Sequence, residues 1–282
     1  MDPTTGVTQL TGNFAGMKGG GMDIVINSRN INKGFKWSTQ FLLSHVTDKI
    51  THYEVKVPAY EVLSGSPMVG KPVYGIYSLK WGGLDPANGN PRGYVDGKLS
   101  EDYGTLLYPE NNSDIVYNGP ARPTWFGGLS NTFSWENFTL SATIGYELGY
   151  YFRRSSVNYY NLFYSWQGNR DFIKRWQNPG DEKRTNVPSM IYPADNNRDN
   201  FYSESDVLID KGDNIRFKDI SLSYTFHPVI HRYIPINLLQ IYMYANNIGI
   251  IWKANHEGLD PDYPLGGIPP SRSISLGIKA DF

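Results

Sequence analysis

The chain contains no cysteine. Disulfides, thiol nucleophiles and cysteine-bound metals are therefore excluded. Among exported proteins this favours an envelope protein over a small disulfide-stapled one. There is no excess of charge of either sign. Lys and Arg number 26 against 27 Asp and Glu, a net charge of −1. That balance gives no electrostatic case for nucleic acid. No run of roughly 18 apolar residues occurs, so helical membrane spans are not expected. Mean hydropathy is negative, which does not argue against a β-barrel, whose strands are half polar. Histidine is scarce. His45, His52, His227, His231 and His256 form no metal-type spacing, and the pair four apart straddles Pro228. Acidic residues are scattered, and no paired carboxylates emerge. No catalytic constellation is present, so an enzyme is not expected. No signal peptide is visible in these residues: Met1-Asp2-Pro3-Thr4-Thr5 has neither a basic start nor an apolar core.

Aromatic residues are abundant, at 15% with 21 Tyr and 7 Trp. They suit interfacial girdles of a membrane barrel or a carbohydrate-binding surface. Alternation is the other strong signal. Ile274, Leu276, Ile278, Ala280 and Phe282 fall on one face of the last ten residues, with Ser273, Ser275, Gly277, Lys279 and Asp281 on the other. Period two over that length is a strand with one oily face. About 9–11 residues is what a tilted strand needs to cross a bilayer. Leu140, Ala142, Ile144, Tyr146, Leu148 and Tyr150 repeat the pattern, as do Ile220, Leu222, Tyr224 and Phe226. Phe35, Trp37, Thr39, Phe41 and Leu43 follow it too, broken by Leu42. Further strands are expected near 17–28, 73–84, 122–134 and 237–252. The alternation predicts Leu140, Ile144, Leu148, Leu276 and Ile278 toward lipid, with Ser141, Glu147, Ser275 and Lys279 toward a lumen.

Connections alternate in length. Segments 30–34 and 134–138 are tight turns, and 227–237 is a modest link. Segments 51–72, 153–205 and 253–271 are long and rich in Asn, Pro, Gly, Tyr and Trp. Short turns at one end and long loops at the other describe an outer-membrane barrel. The parity of up and down strands fails by one. A return strand over Asn90–Lys98, paired with 73–84 through the turn Asp85-Pro86-Ala87-Asn88-Gly89, repairs it. The expected count is then about nine antiparallel strands. Nine cannot close a barrel, so the chain reads as one part of a longer protein. A self-sufficient small barrel or adhesin requires an even count and its own leader. A soluble β-sandwich acting on glycans requires a carboxylate pair and polar outer faces, which the oily face of Leu140–Tyr150 opposes.

Several segments carry a family resemblance. Gly34-Phe35-Lys36-Trp37 with Asp48-Lys49-Ile50, Gly70-Lys71-Pro72, Leu84-Asp85-Pro86-Ala87-Asn88-Gly89-Asn90-Pro91 and Pro123-Thr124-Trp125-Phe126-Gly127-Gly128 are among them. Arg175-Trp176, the run Gly212-Asp213-Asn214-Ile215-Arg216-Phe217-Lys218-Asp219-Ile220, Ala245-Asn246-Asn247 and Leu259-Asp260-Pro261-Asp262 follow in order. Together they resemble the C-terminal third of SusC/RagA-like TonB-dependent outer-membrane transporters of Bacteroidota. Met17-Lys18-Gly19-Gly20-Gly21-Met22-Asp23 is similar to a strand entry of that family but departs at its last two residues. The resemblance implies an all-β chain: the C-terminal part of a 22-stranded transmembrane barrel with long extracellular loops. Residues 1–282 then form one partial barrel domain, without the plug or the TonB-contacting segment. Implied partners are those missing parts with the N-terminal barrel strands, a SusD-like surface lipoprotein, TonB, outer-membrane lipid and the barrel-assembly machinery. Implied cargo is oligosaccharide or oligopeptide.

Two groups of residues are candidate sites. In 153–205, Tyr159, Tyr160, Tyr164, Trp166, Trp176 and Tyr192 offer flat faces, and Arg175 and Arg198 offer donors, for substrate or lid. Packing of the loop itself or marking of the membrane interface is the alternative. Asp195, Asn197, Asp199 and Asp206 stand at positions 1, 3, 5 and 12 of an EF-hand-like count for calcium. Asn200 occupies the glycine position and Asp206 the place of the bidentate Glu, so a polar Asn-rich loop is the competing reading. No other metal or cofactor is expected. Asp260 and Asp262 read as turn residues.

Overall fold

The computed structural model describes residues 13–226, 229–231, 234–263 and 267–281. The expectations for His227 and Phe282 lie outside them, and no side-chain surroundings are described for His231. Two long strands come first, β1 (Ala15–Asn32) and β2 (Phe35–Tyr53). The next connection holds α1 (Ala59–Leu63), β3 (Gly75–Leu79), β4 (Gly93–Val95), β5 (Lys98–Ser100), α2 (Tyr103–Leu106) and β6 (Ile115–Pro120). Then come β7 (Trp125–Trp135), β8 (Phe138–Leu148) and β9 (Tyr151–Arg153). The second long connection carries α3 (Tyr159–Ser165) and α4 (Asn196–Glu204), and it leads to β10 (Ile209–Lys211) and β11 (Asn214–Phe226). Last are β12 (Val229–His231), β13 (Ile234–Ile236), β14 (Leu238–Lys253) and β15 (Ser273–Asp281). The chain is mostly β, as the alternation requires.

Seven long strands form one sheet in the order β1-β2-β7-β8-β11-β14-β15, with β1 and β15 at its edges. Register lines up the alternation of six of the seven strands. Trp37 pairs with Phe133, Phe133 with Leu140, Leu140 with Leu222, Leu222 with Met243, and Met243 with Leu276. That row is apolar across six strands. The adjacent row runs Ser38, Thr132, Ser141, Ser221, Tyr244, Ser275. A slip of one residue in any strand would mix the two faces, so the pattern itself fixes the register. The apolar row is uncovered at its end strand, where Leu276 is 78% exposed. Polar side chains on the apolar face bond to each other: Trp37 Nε1 and Thr39 Oγ1 both donate to Asn131 Oδ1, at 2.9 and 2.7 Å.

Among the described residues the sheet has seven strands, not the nine expected. The stretches 73–84 and 90–98 are not strands of this sheet. Tyr77, Ser78 and Leu79 are buried in succession, so β3 is enclosed on both faces and pairs with β6. The Asp85–Gly89 turn does form, with the Gly89 amide donating to the Asp85 carbonyl at 2.8 Å. Its hairpin stops at Gly82 and Arg92, whose backbones bond at 2.7 Å. Beyond it β4 turns back onto β5 through Asp96 and Gly97, at φ +50° and +75°. Two successive positive φ values are what a two-residue hairpin turn demands, and Asp-Gly is a preferred dipeptide for it. Removing one strand repairs the parity as well as adding one. With seven, each connection at one end of the sheet is short: 33–34, 136–137 and 227–237.

The chain divides into two compact units. One comprises Met1–Gly20, Thr47–Gly119 and Ser156–Leu208; the other comprises Gly21–Val46, Pro120–Ser155 and Ile209–Phe282. The first has its own core. Ala59, Val62, Tyr77, Leu79, Tyr103, Leu106, Ile115 and Phe201 form one cluster, and Val157, Tyr159, Val187, Tyr202 and Leu208 another. Leu79 pairs with Ser205, and the Trp81 amide donates to Asp206 Oδ1 at 3.0 Å. The two long connections thus order each other.

Candidate functional site

The second long connection presents the aromatic residues singled out in the sequence, and the structure sorts them by access. Helix α3 is capped by Asn158, whose side chain accepts from the Asn161 amide at 2.8 Å. It ends at Trp166, which takes φ +55° and stands 92% exposed. Tyr160 and Tyr164 sit one turn apart on the exposed side of α3, with ring centroids 4.7 Å apart, the i,i+4 spacing that lets helical side chains meet. Tyr192 is 77% exposed and meets Phe163 edge to face at 5.4 Å. Four of the six candidate rings are therefore open to a partner. Arg175 lies over the Phe172 ring, 4.1 Å from its centroid, and donates to the Phe172 carbonyl at 3.0 Å.

Tyr159, Trp176 and Arg198 are enclosed. Tyr159 donates to the Pro188 carbonyl at 2.7 Å, and burial pushes its hydroxyl pKa up. Trp176 packs against Gly89, where a Cβ would meet the indole at 2.4 Å. Arg198 is 1% exposed. Its Nε donates to Asn90 Oδ1 at 2.8 Å, and Nη2 donates to the Ser189 carbonyl at 2.8 Å and to Ser189 Oγ at 3.0 Å. Asp199 lies beside it at 3.7 Å. Burial lowers the Arg198 pKa and raises that of Asp199, each countered in part by the other's charge. The three serve the core of the connection.

The calcium candidates are held by other partners. Asp195 caps α4, accepting from the Asn197 and Arg198 amides at 2.9 and 3.2 Å. Asp199 accepts from the Tyr160 amide at 2.8 Å and Asp206 from Trp81. Asn197 lies within α4, so the four residues lie on a helix and its flanks rather than in a wrapping loop. Among the described residues, no group of three His, Cys, Asp or Glu could hold a metal.

The sequence reading passed over one ionic cluster. Arg216 of β11 bonds bidentately to Asp260 and pairs with Asp262 at 2.9 Å. Its Nε donates to Asn214 Oδ1 at 3.0 Å, and Asn214 donates to the Tyr150 hydroxyl at 2.9 Å. The two motifs, 212–220 and 259–262, are thus halves of one latch holding the last connection to the wall. Burial pushes Asp260 up, but its hydrogen bond and charge contact with Arg216 outweigh this and leave its pKa lowered. A depressed carboxylate stabilises the folded state above its unfolded pKa, about 4, and the contribution fades as pH falls through the folded value. Protease cleavage within 254–272 is accordingly expected to rise in the wild type as pH falls below about 4. Asp260→Asn should cleave fast at every pH. A cleavage rate equal in the two proteins at pH 7 would dismiss the latch.

An antiparallel sheet with one apolar and one polar face, its strands joined by alternating short and long connections, is the fold of a stretch of β-barrel wall. No family model matches the sequence, and no curated protein matches it. Solved structures do. The chain superposes over its whole length on a chain of "Structure of the RagAB peptide transporter", with TM-score 0.71 and 18% identity. The same importer in its "closed-closed" state gives TM-score 0.71 and 19% identity, and in its "open-open" state 0.66 and 18%. At this identity the likeness shows the fold. The chain spans 31% of the length of the first of these chains.

Proposed function

We propose that this chain is barrel wall and extracellular connections of a TonB-dependent nutrient importer in the outer membrane of a Gram-negative bacterium of the Bacteroidota. The observation that carries the reading is the unbroken apolar row from Trp37 to Leu276 beside the polar row from Ser38 to Ser275. Such a pair of faces suits lipid on one side and an aqueous lumen on the other. The fold likeness to a peptide transporter supports import as the activity. The cargo is an oligopeptide or an oligosaccharide. No covalent chemistry is involved: a plug supplied by the rest of the transporter opens the path, driven through TonB, and a SusD-like lipoprotein closes over the substrate. The exposed rings of Tyr160, Tyr164, Trp166 and Tyr192 are the contacts offered to that lid or to the substrate.

The test is uptake of labelled oligopeptides and oligosaccharides by cells whose sole importer is the full-length protein. One of the two classes should enter, and only while TonB is present. Replacing Tyr160, Tyr164 and Tyr192 with Ala should lower uptake severalfold while assembly in the membrane is unchanged. Uptake indifferent to TonB would sink the proposal. Normal uptake by the triple variant would remove the rings from it.

A further inference from the structure

A cavity of about 550 Å³ lies within the unit built from the long connections. Its volume is in the range of small-ligand sites, roughly 300–1,000 Å³. The floor is apolar and closed, made by Leu79, Leu106 and Phe201, all buried. One wall is the β4–β5 hairpin, with Tyr94 and the turn residue Asp96; the other is the segment carrying Tyr108, Glu110 and Asp114. Tyr94 and Tyr108 are exposed and flank the opening. Charge in the lining is unequal, with three carboxylates against the single ammonium of Lys80. Lys80 itself is held over the Tyr94 ring, 4.7 Å from its centroid.

This combination selects for one kind of ligand. The carboxylates do not converge as a metal site would require. Spread-out negative charge above an oily floor suits a large organic cation on an aliphatic stem. Lysine and arginine side chains have that form, burying their methylenes while the head stays polar. Tyr94 is occupied by Lys80, and the exposed Tyr108 ring adds cation–π attraction for the ligand. A neutral sugar would gain nothing from the excess negative charge. We propose that this cavity takes a lysine or arginine side chain of an oligopeptide cargo, its stem on Leu79, Leu106 and Phe201 and its head among Asp96, Glu110 and Asp114. The proposal rests on the import reading and narrows it to peptides with a basic residue.

The experiment is calorimetric titration of the full-length protein in detergent with three end-blocked pentapeptides that differ only at the centre: lysine, serine or glutamate. The comparison variant combines Asp96→Asn, Glu110→Gln and Asp114→Asn. Asn tolerates the positive φ at position 96, and all three side chains are exposed. The wild type should bind the lysine peptide about ten-fold tighter than the serine peptide, the sum of three partly screened pairs. The variant should lose that preference and keep its serine-peptide affinity, which also shows that it is folded. A wild type without lysine preference, a variant that retains it, or an equal loss for all three peptides would each overturn the assignment. Failure of TonB-dependent uptake in cells, with the lysine preference intact, would instead strike the import reading and leave the cavity.

Discussion

Arg198→Ala is expected to open the unit formed by the two long connections, at a cost of about 3–5 kcal/mol. Removing one partner of a buried pair leaves the other as an uncompensated buried charge. Asp199 would be that charge, and the Asn90 side chain and the Ser189 carbonyl would each lose their donor. Hydrogen exchange reads the effect locally. The Trp81 and Tyr160 amides, which donate to Asp206 and Asp199, should lose protection, while strand amides in 125–148 keep theirs. The double variant Arg198→Met with Asp199→Asn should recover part of the loss, because no buried charge remains and the Tyr160 amide keeps an acceptor. Unchanged exchange at Trp81 and Tyr160 in Arg198→Ala would show that the residue is not the tie it looks to be.

The second large effect concerns the sheet. Trp125 pairs with Leu148 and Trp135 with Phe138, and these tryptophans mark the two ends of the apolar band. Ile144 lies between them, flanked by Leu129 and Phe217. Ile144→Arg should therefore destabilise the membrane-inserted protein by about 2–4 kcal/mol, the cost of a cation near the bilayer midplane. Ser141→Arg, on the hydroxyl row of the other face, should stay within roughly 0.5 kcal/mol. Denaturant titration in lipid vesicles compares the two. Equal costs would mean that the two faces do not divide lipid from water, and a larger cost for Ser141→Arg that they are assigned the wrong way round.

Long strands were legible because residues on the apolar face and their neighbours on the polar face differ in kind at every step. Leu140–Leu148 and Ser273–Asp281 show this without any knowledge of partners. The interiors of the connections were not legible in the same way. Tyr77, Ser78 and Leu79 are enclosed on every side, so no period marks them, and β3 was extended into a membrane strand it does not form. Asp96-Gly97 is a hairpin dipeptide lying inside the expected return strand 90–98, where the reading took no account of it. Arg198 looks on paper like any donor in a polar loop. Its burial depends on Asn90 and Ser189, the first 108 residues away, and distance of that order leaves no trace in local pattern. The Arg216 latch spans 44 residues to Asp260 and was hidden for the same reason. Of the six rings named in 153–205, Tyr159 and Trp176 are enclosed and the other four exposed, a division that local pattern did not carry.

On the polar face, Ser130 meets Thr143 at 3.0 Å, Thr132 meets Ser141 at 3.5 Å, and Ser134 meets Thr139 at 3.2 Å. A hydroxyl both gives and accepts, and it rotates freely to do either. Each pair is content by itself and equally content with a passing amide, sugar or water molecule. Charge stands only beside the ends of this ladder, at Asp219 next to Thr143 and Lys36 next to Ser134. If this face lines a lumen, as proposed, its middle would act as a low-friction strip on which hydrogen bonds are traded one for one.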